Sequence, residues 1–198
     1  MTVFTFKKIL PVILLLMVPH IALASAWEID PVHTAVEFKV KHLMVSWVRG
    51  VFSDVDGTVE IDEGDLAKSS VKVVISTASI DTNNGKRDDH LRSPDFFDVA
   101  RYPAMTFVSK SVTVTNGQPL KIIGDLTIRD TTREVTLDVE DYSQEIIDPR
   151  GKRRRGASAS TKINRKDFGL TWNKALEAGG VVVGDEVRIT LEVELVKG

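Results

Sequence analysis

Between Asp88 and Asp98 the chain reads Asp-Asp-His-Leu-Arg-Ser-Pro-Asp-Phe-Phe-Asp, which places a histidine, an arginine and several carboxylates beside two adjacent aromatic rings. With Arg87 just before them, His90 and Arg92 offer donors next to Phe96 and Phe97. That combination suits a ligand with a polar end and an apolar body, and such groups work best on a connection held by a rigid scaffold. The same residues also describe a short amphipathic lid, with Leu91 facing inward and Phe96 and Phe97 in the core. On sequence alone both readings stand.

The other reactive side chains are sparse. His33, His42 and His90 follow the first 26 residues, and none is spaced to share a metal with another ligand on one helix. His42 is in phase with apolar neighbours, so it either lines a cavity or sits hydrogen-bonded at a rim. No Gly-x-Ser-x-Gly elbow and no phosphate-cradling glycine loop occurs. Cysteine is absent, which removes thiolate chemistry and Cys-ligated metals. Neither a catalytic set, a metal site nor a cofactor is expected. Arg150-Gly151-Lys152-Arg153-Arg154-Arg155, after Asp148-Pro149, is the main basic cluster and is read as a loop. It suits anionic head groups at a membrane surface or a diphosphate, or it is a solvated hairpin end.

Lys7 and Lys8, then the apolar run Ile9 to Val18, then small residues permitting cleavage after Ala24 or Ala26, read as a secretory signal over residues 1–26. One domain over 27–198 remains. The chain has 26 basic and 28 acidic residues. Removing Lys7 and Lys8 leaves 24 against 28, a net charge of −4 that argues against a nucleic-acid partner. Export without disulfides points to a bacterial periplasm.

The elements that must position these groups are strands. Val36, Phe38 and Val40 share a face with Val32 and Thr34, while Glu37, Lys39 and Lys41 take the other. Val187, Ile189, Leu191, Val193 and Leu195 alternate with polar residues in the same way, as do Ile122, Leu126 and Ile128 and then Val135, Leu137 and Val139. Asn116-Gly117 signals a hairpin, and Asp56-Gly57 a bulge or bend. Helical turns fit at Asn84 to Val99 and at Lys166 to Gly179, the latter capped by Asp167 and ended by Gly179-Gly180. About eight strands with short connections make an all-β barrel or sandwich. Gly50, Gly124, Ala157 and Ala159 fall in phase with inward positions. The volume they leave is filled by neighbours or by a ligand. Trp27, Trp47 and Trp172 read as core, although Trp47 and Trp172 lie in irregular segments where an aromatic can border a pocket.

The ordered run of motifs resembles the YceI-like family of exported, lipocalin-like polyisoprenoid-binding proteins. It comprises Ile29-Asp30-Pro31-Val32-His33, Val48-Arg49-Gly50-Val51-Phe52, Ile80-Asp81-Thr82-Asn83, His90-Leu91-Arg92-Ser93, Asp95-Phe96-Phe97, Tyr102-Pro103, Gly124-Asp125-Leu126-Thr127-Ile128, Asn164 to Leu170 and Val183-Gly184-Asp185-Glu186-Val187. The resemblance spans nearly all of 27–198. It implies a lipocalin-like antiparallel β-barrel of about eight strands with a short helical insert and a hydrophobic tunnel for an isoprenoid, either polyprenyl or quinone-like. With parity, it places Val36, Phe38, Val40, Phe52, Phe107, Ile122, Leu126 and Leu137 on the tunnel, and adds His42, His90, Arg92, Phe96 and Trp172 as candidate ligand contacts. The Arg150–Arg155 run departs from the family's usual Asp-Pro-x-Gly loop. The expectation is a periplasmic, non-enzymatic carrier of an isoprenoid or other long-chain apolar lipid. Membrane contact would come through Arg150, Lys152, Arg153, Arg154 and Arg155, and a homodimer through an edge strand or that loop. The rivals are an adaptor of a membrane redox or stress-response system and a lipid-modifying enzyme using His42 or His90 as base.

Overall fold

The computed structural model describes residues 24–177 and 179–198, so nearly all of the proposed export signal lies outside the described residues. The strands, in chain order, are β1 (Ser25–Ile29), β2 (Ala35–His42), β3 (Ser46–Phe52), β4 (Val55–Ile61), β5 (Ser70–Ser76) and β6 (Ile80–Asp81). After the helix α1 (Gly85–Arg92) come β7 (Ala104–Thr115), β8 (Gln118–Ile128), β9 (Thr131–Tyr142), β10 (Ile146–Ile147), β11 (Arg153–Asn164) and β12 (Val183–Lys197).

These segments form eight antiparallel staves, because four of the staves are each broken once by a corner. β1 and β2 pair in turn with the C-terminal and N-terminal parts of β12. β4 and β3 run beside them, and β5 and β6 run beside those. β7, β8 and β9 follow as a meander, and β10 continues β9 along β11. Pairing of β11 with β12 closes the barrel. Closure removes long free edges, and the two ends of the pairing order are the two-residue segments β6 and β10. β6 pairs with Val51 and Phe52 of β3, so Ser46–Gly50 keeps a strand partner on one side, β2.

The structure relocates several predicted features. The bend expected at Asp56-Gly57 falls instead at Ser53-Asp54, while Gly57 pairs in register with Val73. Asn116 and Gly117 form the expected turn, both at positive φ. α1 stops at Arg92 rather than running on to Val99. Pro94 pushes the preceding Ser93 to extended backbone (ψ 169°), so the helix cannot continue. At its start the Asn84 side chain accepts the Arg87 N–H at 3.0 Å.

The second helical expectation is reduced to the 3-10 turn Arg165–Phe168. Asn164, not Asp167, caps it, and Gly169 ends it at φ 75°. Gly179 and Gly180 fold the following loop back on itself, with Ala175 opposite Val181. Trp27 is fully buried, as expected of core. Trp47 is not core. It lies on the outer surface of β3 beneath Lys39, Lys41 and Arg188, at 4.5 to 5.7 Å from its ring centre.

Candidate functional site

The inward faces enclose an apolar cavity of about 280 Å³ that runs the length of the barrel. Its wall includes Pro119 at one end of β8 and Ile128 at the other. That is about 30 Å along the strand and, at a tilt of about 40°, about 23 Å along the axis. A volume at the low end for ligand pockets, drawn out over that length, makes a slot rather than a chamber.

Alternation builds the wall: Val36, Phe38 and Val40 from β2, Phe52 from β3, Phe107 from β7, Ile122 and Leu126 from β8, and Leu137 from β9 all line it, and Phe96 joins them from the insert. The inward small residues divide into two kinds. A Cβ at Gly50 would meet the Phe38 ring at 2.5 Å, and one at Gly124 would meet the Phe107 ring at 2.5 Å, so those two gaps are filled by neighbours. Ala157 and Ala159 border the open space.

The insert behaves as a lid. Leu91, Phe96 and Phe97 face the cavity, and the Phe97 ring packs edge-on to Phe52 at 5.5 Å. Its polar groups hold the lid down. Buried Asp88 accepts the Thr82 N–H at 2.9 Å and the Thr82 hydroxyl at 2.5 Å, and Arg87 donates to the Thr82 hydroxyl and carbonyl. Arg92 donates to the carbonyls of Ala78 and Ile80 at 3.0 and 2.6 Å. The His90 Nε2 sits 2.9 Å from Asp95, with its ring edge-on to Phe96 and Trp172. His90, Arg92 and Trp172 are thus engaged outside the cavity wall. His42, at the end of β2 opposite Ser46 and Val183, is also off that wall. Neither histidine considered as a base reaches the cavity.

The basic run is not a free loop. Arg153, Arg154 and Arg155 open β11. Arg154 points outward into carboxylates. It bonds Asp30 and Asp148, each at 2.7 Å, and Glu194, and so ties the β1–β2 corner, the turn before β11 and β12 together. Arg154 holds the Asp30 carboxyl far below the ordinary range, with His33 helping, and lowers Asp148 to about 2. Asp30, His33 and Glu194 are close enough to share a cation, but the Arg154 guanidinium already bonds both carboxylates. Arg155 turns inward and is buried against the rings of Trp27 and Tyr142, bonding the Tyr142 hydroxyl and, at 3.3 Å, Glu63. Arg150, Lys152 and Arg153 stay exposed.

Sequence reasoning missed Arg165. It is 3 % exposed, lines the cavity, and donates to the carbonyls of Gly184 and Trp172 (each 2.9 Å), Val183 (3.3 Å) and Leu170. Burial lowers its pKa, and Asp185 at 3.3 Å opposes that. The signal was available, since Arg165 continues the inward phase of Ala157, Ala159, Thr161 and Ile163. A cation in that phase is either a ligand group or a strut, and its contacts make it a strut.

The YceI-like domain family model matches residues 27–195. A UPF0312 protein of Staphylococcus epidermidis is 39% identical over 170 residues, covering 86% of this chain and 96% of that protein. Among solved structures, BcnA of Burkholderia cenocepacia superposes with TM-score 0.71 at 25% identity, covering 84% of this chain and 98% of that one. A polyisoprenoid binding domain from Saccharophagus degradans shares the fold at TM-score 0.64 and 15% identity, covering 89% and 99%.

Proposed function

Because the chain belongs to the YceI-like family, we propose that its barrel carries an isoprenoid, polyprenyl or quinone-like, through the bacterial periplasm without altering it chemically. The observation that carries this reading is the slot itself, apolar along its length and shaped for a thin chain. An exposed isoprenoid tail costs about 0.8 kcal/mol per CH₂ in water, so aqueous transit requires enclosure. Transfer from bilayer to slot leaves that term nearly unchanged, so loading and release need no large driving force. The fold shared with a protein described as a polyisoprenoid binding domain supports the choice of ligand. Val36, Phe38, Val40, Phe52, Phe96, Phe107, Ile122, Leu126 and Leu137 would touch the chain.

Export with cleavage after Ala24 suits the barrel better than cleavage after Ala26. Ser25 and Ala26 pair with Ile61 and Glu60, and the Ser25 hydroxyl accepts the buried Trp27 indole N–H at 2.9 Å. Native mass spectrometry of protein recovered from the periplasm, followed by solvent extraction, reads both points. The expected result is a mature chain beginning at Ser25 with a prenyl lipid in the extract. Protein that emerges empty and takes up no polyprenyl ligand after delipidation overturns the carrier reading.

A further inference from the structure

The β2–β3 hairpin, tied to the chain before β12 by the Leu43 N–H on the Val182 carbonyl at 2.8 Å, has two costly features. Its turn, closed by the Val45 N–H on the His42 carbonyl at 3.1 Å, holds Leu43 at φ 50° and Met44 at φ 61°. Two consecutive left-handed residues are ordinarily Asn-Gly in such a turn, and apolar side chains there are strained. Those side chains also face solvent: Leu43 is 38% exposed, Met44 52% and Val45 79%. The second cost lies on the outer face just behind the tip. Arg49, Lys39 and Arg188 stand directly opposite one another across β3, β2 and β12, a row of like charges that weakens a sheet. Of the three, Arg188 has a carboxylate partner among the described residues, Glu186 at 2.8 Å. Lys41 and Trp47 form the next cross-strand pair toward the tip.

We propose that this hairpin docks the protein on an anionic phospholipid surface, with Leu43, Met44 and Val45 entering the boundary between head groups and acyl chains and the cationic row meeting the head-group charge. An apolar tip, a tryptophan at its base and a belt of lysine and arginine are what an interfacial anchor requires. The surface lies across the barrel from the exposed residues of the Arg150 turn, which is where the sequence suggested membrane contact. It also adjoins the cavity, since Val40 on β2 and Val183, opposite His42, line that end of the slot. Docking here brings the lidded end of the slot to the bilayer.

Vesicle co-sedimentation tests this with lipid that contains no isoprenoid, so cargo uptake is not part of the readout. The full mature protein is mixed with vesicles of equal phosphatidylglycerol and phosphatidylethanolamine, or of phosphatidylcholine alone. It should pellet with the anionic vesicles, less so as salt rises, and stay largely in solution with phosphatidylcholine. Leu43→Asn with Met44→Gly should lower binding at least tenfold while the melting temperature holds or rises, because Asn-Gly relieves the turn. That pairing separates lost docking from lost fold. Lys39→Gln with Lys41→Gln should lower partitioning roughly 25-fold, about fivefold per cation. Arg150→Gln, Lys152→Gln and Arg153→Gln together should leave it unchanged. Wild-type protein that ignores anionic vesicles, an Asn-Gly variant that still binds, or loss of binding in the triple variant would each overturn the proposal.

Discussion

Arg155 and Arg165 stand at opposite ends of β11, both in the inward phase and both buried, but they are held by different means: Arg165 lines the slot, whereas Arg155 packs against Tyr142, which does. Arg165 is held by four backbone carbonyls, with Asp185 at its edge. Arg155 is held by a phenol hydroxyl, two ring faces and the half-exposed Glu63, and its Nε has no partner. The carbonyls of Leu170 and Trp172 lie in irregular chain, and those of Val183 and Gly184 open β12 where its register with β2 shifts between Val183 and Val187, so the guanidinium bridges a break in the pairing. At the other end Arg155 pairs in register with Leu195 of β12 through its own backbone, and its side chain fills space over Trp27. Equal burial therefore does not mean equal structural weight; what matters is whether the partners have another way to be satisfied.

The largest test of that difference is Arg165→Met, which keeps volume and removes the donors. The carbonyls of Leu170, Trp172 and Gly184 lose this donor, while the Val183 carbonyl keeps the Asn173 amide at 2.7 Å and Asp185 keeps Lys166 at 2.9 Å, and we expect a loss of about 3 kcal/mol by chemical denaturation. A loss below about 1 kcal/mol would mean that the 170–184 segment satisfies itself, and the contrast between the ends would disappear.

The barrel was legible because period-2 alternation survives in nearly every stave, and Val187 to Leu195 and Ile122 to Ile128 read directly as inward faces. What alternation conceals is which inward gaps stay open. Gly50 and Gly124 looked the same as Ala157 and Ala159, yet Phe38 and Phe107 fill the first pair from neighbouring strands, a contact that depends on cross-strand register. The insert's chemistry was overestimated for a related reason. His90 and Arg92 look available in sequence, but their partners are Asp95 and the carbonyls of Ala78 and Ile80, and backbone acceptors carry no residue-type signal. Local charge likewise hides the strand phase of the Arg150–Arg155 run. Arg154 faces outward to Asp30 and Glu194, distant in sequence, while Arg155 faces inward.

An intermediate effect should come from acid at the Arg155 end. Arg154 depresses the folded-state pKa of Asp30 and Asp148, the latter to about 2, below the ordinary value near 3.9. Such a carboxylate stabilises the fold fully above its unfolded pKa, and that contribution is lost as pH falls through the folded one. The melting temperature should therefore decline from about pH 4 toward pH 2. Arg154→Met should lower it at pH 7 and flatten that decline, because the carboxylates then titrate nearer their ordinary values. Arg165→Met should leave most of the acid slope intact, since its four carbonyl partners do not titrate and Asp185 keeps Lys166. Parallel thermal melts of both variants across this range separate the two ends, and an unchanged slope in Arg154→Met would show that other carboxylates govern the acid limb.

The smallest effect is expected at Arg155 itself. In Arg155→Met the apolar side chain can remain over Trp27, Glu63 regains water, and the half-buried Tyr142 hydroxyl loses one donor. Replacing a buried cation by an apolar residue of similar size is often close to neutral, and here one guanidinium nitrogen was already unpaired. We expect a change within about 1 kcal/mol. Burial already raises the Tyr142 pKa and Arg155 restrains that rise, so removing the guanidinium should move the phenol further upward in an ultraviolet titration. A raised phenol with little lost stability is the combination that the contrast requires. A loss comparable to that of Arg165→Met would make Arg155 a strut as well, and partner chemistry would then not distinguish the two ends.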